Sequence, residues 1–261
     1  MTSLFHRDRC EGYSILWNAN PKRKNALSEE YYNGVISSLS DTAYEDQTGA
    51  FILAGEGGYF CSGGDLRILK ERRNLSIAER QIKINRLHDV VRAIRNCPKP
   101  VIAAVEGGAA GAGFSIALAC DMIIAAENAK FTLAYARAGL TPDGGATHML
   151  MKALPRATVS RMALLGAPVT ANRLYELGVL TELTAPGKAL TIAKGLAQEI
   201  AAGPQNAITA IKTLLNAAQT ATLEAQLDAE CHAMSEALGG EEAQHRIDAL
   251  VSKVQRKQTR P

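Results

Sequence analysis

An α/β fold with parallel strands is predicted by three observations. Short apolar runs, Tyr13 to Trp17, Ala50 to Ala54 and Val101 to Val105, are each bounded by Gly, Pro or Asn and read as strands. Segments of helical period lie between them. Strands separated by helical crossovers pair in parallel, because such a connection carries the chain back to the end of the sheet where it started.

The elements follow in order. Ser28 is placed to N-cap a helix through about Ser38, with Glu30 and Asn33 outward, and Ser76 to cap a longer one ending near Asn96. Cys97-Pro98-Lys99-Pro100 then breaks the helical pattern. Gly111 to Cys120 reads as a buried helix, and Met122 to Ala125 and Lys130 to Leu133 as strands, so a strand-strand-helix rhythm repeats. From about Ala185 the chain turns helical, rich in Ala, Leu, Gln, Glu and Lys and interrupted at Gly203-Pro204. The apolar faces between Ala217 and Leu250 exceed what the core needs, which predicts self-assembly through them.

Composition narrows the class. The 261 residues, 47% hydrophobic and 21% charged, suffice for one large core or two unequal domains. The longest apolar runs, such as Phe114 to Cys120, fall far short of the roughly 20 residues of a membrane span. Met1 to Glu11 carries Arg7, Asp8 and Arg9 without an apolar stretch, so no signal peptide is read there and a cytoplasmic location is expected. Five scattered cysteines, Cys10, Cys61, Cys97, Cys120 and Cys231, form no C-x-x-C pair, and neither disulfides nor a metal is expected. A net charge of +3 is too small to indicate nucleic acid, and the basic stretch Lys253 to Arg260 reads as a solvated tail.

Two glycine-rich stretches carry the chemistry. Gly55 to Leu66, containing Ser62-Gly63-Gly64-Asp65, follows a strand and precedes a helix, and lacks the Lys-Ser/Thr of a phosphate-binding P-loop. Glu106 to Ser115 joins a strand to an apolar helix whose first N-H groups point outward and favour negative charge. Two such loops facing each other place two N-H donors on one oxygen, as in an oxyanion hole.

From Asn20 to about Lys253 the chain resembles the crotonase family, also called the enoyl-CoA hydratase/isomerase superfamily. The resemblance rests on Asn20-Pro-Lys-Arg-Lys-Asn-Ala-Leu27, Phe60-Cys-Ser-Gly-Gly-Asp-Leu66, Val105-Glu-Gly107 through Cys120-Asp121, and Gly139-Leu-Thr-Pro-Asp-Gly-Gly145. It implies a β/α spiral over residues 1–200 and a C-terminal helical region, 201–261, that builds trimers, commonly paired into hexamers. It implies an acyl-CoA thioester as substrate, with the N-H groups of Gly64 and Ala112 on the thioester oxygen. Coenzyme A then enters as part of the substrate, and no separate cofactor is implied. The CoA-binding positions are Lys22, Arg23, Lys24, Ala26 and Leu27 on the first loop and Ser62, Gly63, Asp65 and Leu66 on the second. Lys253 matches the family's C-terminal CoA lysine, with Leu250 where an aromatic is usual.

The chain departs from the family's hydratases at both catalytic glutamates. Ser115 occupies one position and Tyr135 the other, and neither is a competent base near its ordinary pKa. Asp143 remains. By itself Pro142-Asp143-Gly144 reads as a turn or a helix cap, whereas in some family isomerases a carboxylate at this turn shuttles a proton between two carbons. Asp143 is therefore expected as the shuttle, with Ser115 and Tyr135 shaping the acyl pocket. Hydration is an alternative. Family 4-chlorobenzoyl-CoA dehalogenases place a nucleophilic aspartate at this turn and add a histidine, where His88 falls, and a tryptophan, where Tyr135 falls. A relative that only binds CoA or RNA is a further alternative. His6, His148, His232 and His245 match no catalytic position, and Cys61 reads as a buried filler rather than a nucleophile.

Overall fold

The structure, a computed structural model, describes residues 3–40 and 47–258. Nine strands occur among them: β1 (Phe5–Cys10), β2 (Tyr13–Asn18), β3 (Ala50–Gly55), β4 (Val101–Val105), β5 (Gly108–Ala110), β6 (Met122–Ala126), β7 (Lys130–Thr132), β8 (Val169–Thr170) and β9 (Glu182–Thr184). The helices are α1 (Glu29–Ser40), α2 (Leu66–Arg72), α3 (Ile77–Asn96), α4 (Ala112–Ala119), α5 (Ala146–Ala153), α6 (Arg156–Leu165), α7 (Ala171–Glu176), α8 (Ala189–Ala201), α9 (Gln205–Ala217), α10 (Leu223–Leu238) and α11 (Glu241–Gln258).

The larger sheet runs β1-β2-β3-β4-β6-β9, parallel except for the β1-β2 hairpin. A smaller sheet, β5-β7-β8, stands beside it. The predicted strands fall where their apolar runs placed them, and side chains alternate between the two faces. Phe51, Leu53, Val101, Ala103 and Val105 enter the main core under α1, α3 and α4. Ile52, Ala50, Ile102, Ala104 and Ile124 face the other way, against Ala189, Ala193 and Ala197 of α8. Alanines at every fourth position let that helix lie close to the sheet. Strand β1 was not predicted, because Arg7, Asp8 and Arg9 read as a charged terminus. It is an edge strand, where charge is tolerated and discourages pairing with another chain.

Both predicted caps form. The Ser28 hydroxyl accepts from the Tyr31 amide at 3.1 Å, and Ser76 and Glu79 close a capping box on α3. One ion pair, with a buried lysine and a more accessible aspartate, ties the C-terminal helices to the core. Lys212 of α9 reaches Asp121 at 2.7 Å and donates to the carbonyls of Ile94 and Lys99. The Asp121 carboxylate also accepts the Val101 amide at 2.8 Å, so α3, β4 and α9 meet on one charged cluster. Beyond it, α10 buries none of its residues, and Leu227, Met234 and Leu238 are exposed alongside Ile211 and Leu215 of α9. No helix among the described residues is long and apolar enough to cross a membrane.

Candidate active site

The two glycine loops are zipped together by backbone. Phe60 donates to Glu106 O at 2.9 Å, Cys61 to Gly108 O at 3.4 Å, and Ala110 to Cys61 O at 2.9 Å. At the end of this zip Gly63 has φ 86°, and a Cβ there would lie 2.6 Å from Ala110 O and 3.3 Å from the Ala112 nitrogen. Only glycine fits such an approach. Gly63 is thus packed against the start of α4, with Gly64 next to it in the chain and Ala112 at the helix start. Neither the Gly64 nor the Ala112 amide donates to another described residue: Gly64 leaves the zip just past Gly63, and Ala112 is the first residue of α4, whose amide has no intrahelical acceptor. A free amide at a helix start is part of a fixed positive pole.

Glu106 fastens this arrangement from behind. Its carboxylate accepts the amides of Gly187 and Ala189 at 3.0 and 2.8 Å, capping α8. Cys61 is buried under α4 with its thiol pushed up to about 12 by desolvation, so it fills space and does not attack.

Asp143 sits in the turn before α5, and the helix is capped by Gly145, not by the aspartate. Its carboxylate has a different partner. The Tyr135 hydroxyl donates to Asp143 Oδ1 at 2.7 Å, and the Ser115 hydroxyl donates to the Asp143 carbonyl at 2.9 Å. Gly144, φ 62°, rests so closely on Ser115 that an added Cβ would lie 2.8 Å from the serine Cβ. Ser115, expected to shape the acyl pocket, is fully buried and props this turn from beneath. Tyr135, 9% exposed, is likewise a holder of the aspartate, and its ring lies near Gly111 at the start of α4.

Burial raises the Asp143 pKa above the ordinary carboxylate value, while the Tyr135 hydrogen bond and the charge of His88 pull it back. His88, half-buried on α3, is thus within electrostatic reach of the aspartate. Its ring Nδ1 lies 3.2 Å from Asn85 Oδ1. Burial and the neighbouring aspartate keep the Tyr135 hydroxyl protonated.

A cavity of about 420 Å³ opens against Gly64, between α1, α2 and α3. Tyr32, Leu69 and Arg72 are among its walls. Tyr32 also feels the Asp143 charge, which links the cavity to the carboxylate. Sequence reasoning missed Tyr32 and Arg72, since nothing local distinguishes them from ordinary helix residues.

The predicted CoA loop, Asn20 to Leu27, is stitched to the first glycine loop. Leu27 donates to Gly63 O and Ser62 to Lys24 O, both at 2.9 Å, while Ser62 Oγ donates to Arg23 O at 3.1 Å. Asn25, buried and at φ 55°, bonds through its side chain to the carbonyls of Glu56 and Tyr59. Lys22 is exposed, and Lys24 lies over the Tyr59 ring at 5.4 Å. Arg23 is engaged with Asp65 at 2.6 Å, and Asp65 also caps α2 by accepting the Arg67 amide. Ala26 and Leu27 are buried, and Leu66 is exposed at the start of α2. Lys253 is exposed on α11, with no hydrogen bond or ion pair joining it to the Lys22–Lys24 segment.

Amides without acceptors at Gly64 and at the start of α4, and a half-buried carboxylate in the turn before α5, are the groups that carbonyl chemistry draws on. Residues 17–258 match the enoyl-CoA hydratase/isomerase family, and the chain belongs to it. It is therefore an acyl-CoA enzyme of that family. It is similar to 1,2-epoxyphenylacetyl-CoA isomerase of Escherichia coli (strain K12), 34% identical over 221 residues, 84% of each chain. It is also similar to 2,3-dehydroadipyl-CoA hydratase of the same organism, 28% identical over 234 residues, 89% of each. Among solved structures, an enoyl-CoA hydratase from Polaromonas sp. JS666 superposes with a TM-score of 0.93 at 38% identity, covering 95% of this chain and 97% of that one. These likenesses bear out the predicted crotonase-like spiral with its helical C-terminal region.

Proposed function

We propose that the protein is an isomerase that moves a double bond in an enoyl-CoA or ring-derived acyl-CoA, with Asp143 as the proton shuttle. One observation carries this reading: the hydroxyls of Tyr135 and Ser115 grip Asp143, at 2.7 and 2.9 Å, where a hydratase needs carboxylates to grip water. The thioester oxygen sits on the Gly64 and Ala112 amides. Asp143 takes a proton from the acyl chain, the electron pair moves onto that oxygen as an enolate, and the protonated Asp143 returns the proton at another carbon. No water enters or leaves. Each amide donor is worth about 100-fold to 1000-fold in rate. Partial burial of Asp143 suits the task, because a base with a raised pKa removes a weakly acidic proton more readily.

Similarity to the E. coli isomerase supports this choice, and similarity to hydratases supports hydration as the competing one. Lys22 and Lys24 supply charge for the CoA phosphates, and no group beyond CoA is needed. The exposed apolar faces of α9 and α10, within residues 201–261, are read as the contact of a homotrimer or hexamer.

Incubation with 3-enoyl- and 2-enoyl-CoA thioesters tests the proposal. Interconversion at unchanged mass is expected, and a product heavier by one water, formed faster, overturns it. A second reading draws on the His88 charge acting on Asp143: aspartyl attack on a halobenzoyl thioester with His88 as base. Halide release is its direct readout.

A further inference from the structure

The cavity beside Gly64 carries polar groups that neither thioester polarisation nor proton transfer uses. Part of its wall is apolar, from Leu27, Leu69 and Leu75. The rest presents Tyr32 and Arg72. The Tyr32 hydroxyl makes no hydrogen bond among the described residues, although the residue is only 7% exposed. Burial raises its pKa, so it stays a donor. The Arg72 side chain is 22% exposed and makes no hydrogen bond; it meets Glu29 at 3.6 Å.

The charges around these donors leave room for an anion. Glu29 is shared by Arg72, by Lys83 at 3.4 Å and by Arg86 at 3.9 Å, so three cations surround one carboxylate. Asp65 is committed to Arg23 and Arg67. Glu71, the remaining acid of the wall, is exposed to solvent. A hydrocarbon tail entering this space would leave the Tyr32 phenol and the guanidinium N-H groups of Arg72 not turned to Glu29 without an acceptor from the ligand, at a cost in affinity.

We infer that the cavity receives the acyl chain and that the chain ends in a carboxylate, so that the preferred substrates are CoA monothioesters of dicarboxylic acids, read distally by Arg72 and Tyr32. The inference rests on the placement of the thioester oxygen at Gly64 proposed above. The apolar wall holds the methylenes, and the planar guanidinium fork matches a carboxylate bidentately.

Calorimetric titration with saturated thioesters tests this without chemistry. Succinyl-, glutaryl-, adipyl- and pimelyl-CoA are compared with butyryl-, valeryl-, hexanoyl- and heptanoyl-CoA. At the best-fitting length the dicarboxylic thioester is expected to bind about tenfold tighter or more than its monocarboxylic counterpart. Arg72→Met should erase that preference, and Tyr32→Phe, which deletes one oxygen, should reduce it. Equal or tighter binding of the monocarboxylic series at every length overturns the inference, as does a preference that survives in both variants. Because these probes cannot isomerise, the result is independent of the role of Asp143. Failure of both series to bind overturns the thioester placement and this inference with it.

Discussion

Replacing Tyr135 with phenylalanine removes a single donor from Asp143 and keeps the ring that packs near Gly111. The hydrogen bond, 2.7 Å to Oδ1, favours the ionised carboxylate. Hydrogen bonds to charged groups are worth about 1.5–3 kcal/mol, and each pKa unit corresponds to about 1.36 kcal/mol, so the Asp143 pKa should rise by about one to two units. Ser115 does not substitute, because its hydroxyl bonds the Asp143 carbonyl and lies 3.5 Å from the Tyr135 oxygen. A base must be deprotonated to act. The acid limb of the kcat/KM profile should therefore move to higher pH by that amount, while the plateau stays within about tenfold of wild type. The assay is steady-state isomerisation of a 3-enoyl-CoA across a pH series. An acid limb that does not move would show that the hydroxyl only packs, and the reasoning on how Asp143 is tuned would fall.

Other perturbations read different parts of the structure. Burial raises the folded-state pKa of Asp143, so between the ordinary carboxylate pKa and the raised one the folded protein holds more protons and its stability falls as pH rises. Asp143→Asn should accordingly melt higher than wild type at neutral pH, with the difference closing in acid; differential scanning calorimetry at both pH values decides it. Lys212→Met removes the Asp121 partner and the donor to the Ile94 and Lys99 carbonyls and should cost about 2 kcal/mol in urea unfolding, with part of the loss recovered in Lys212→Met/Asp121→Leu. Recovery of none would mean that the lysine's carbonyl contacts, not the ion pair, hold α9. Multi-angle light scattering should find a trimer or hexamer, and a stable monomer at micromolar concentration contradicts the reading of the exposed α9 and α10 faces.

What the sequence disclosed depended on whether a signal was local. Strands β3 and β4 were legible because buried parallel strands are continuous apolar runs, and α3 because Ser76 and Glu79 announce its start. Strand β1 was hidden by its charges, β5 by its glycine and alanines, which carry no strand signature, and β8 by its length of two residues, whereas β7 lies where Lys130 to Leu133 was read as a strand. At the candidate site, Gly64, Ala112 and Asp143 were singled out by their motif contexts and His88 by its distance from Pro100. Ser115 and Tyr135 were singled out too, but not their hydrogen bonds to Asp143. Their hydroxyls serve Asp143 through a turn that folds back over α4, a relation set by tertiary packing that no spacing in the chain reports. Glu106 caps a helix 83 residues later in the chain, and Tyr32 reaches the cavity from α1, for the same reason.

The account's central claim is that Asp143 alone moves the proton while the Gly64 and Ala112 amides hold the enolate. The most direct test is mass and NMR analysis of a 3-enoyl-CoA incubated in deuterium oxide with wild type and with Asp143→Asn. Wild type should form the 2-enoyl isomer, whereas Asp143→Asn, binding the thioester within about tenfold of wild type, should neither shift the double bond nor exchange any acyl proton. Wild-type rates of shift or exchange in Asp143→Asn would place the base elsewhere and contradict the claim.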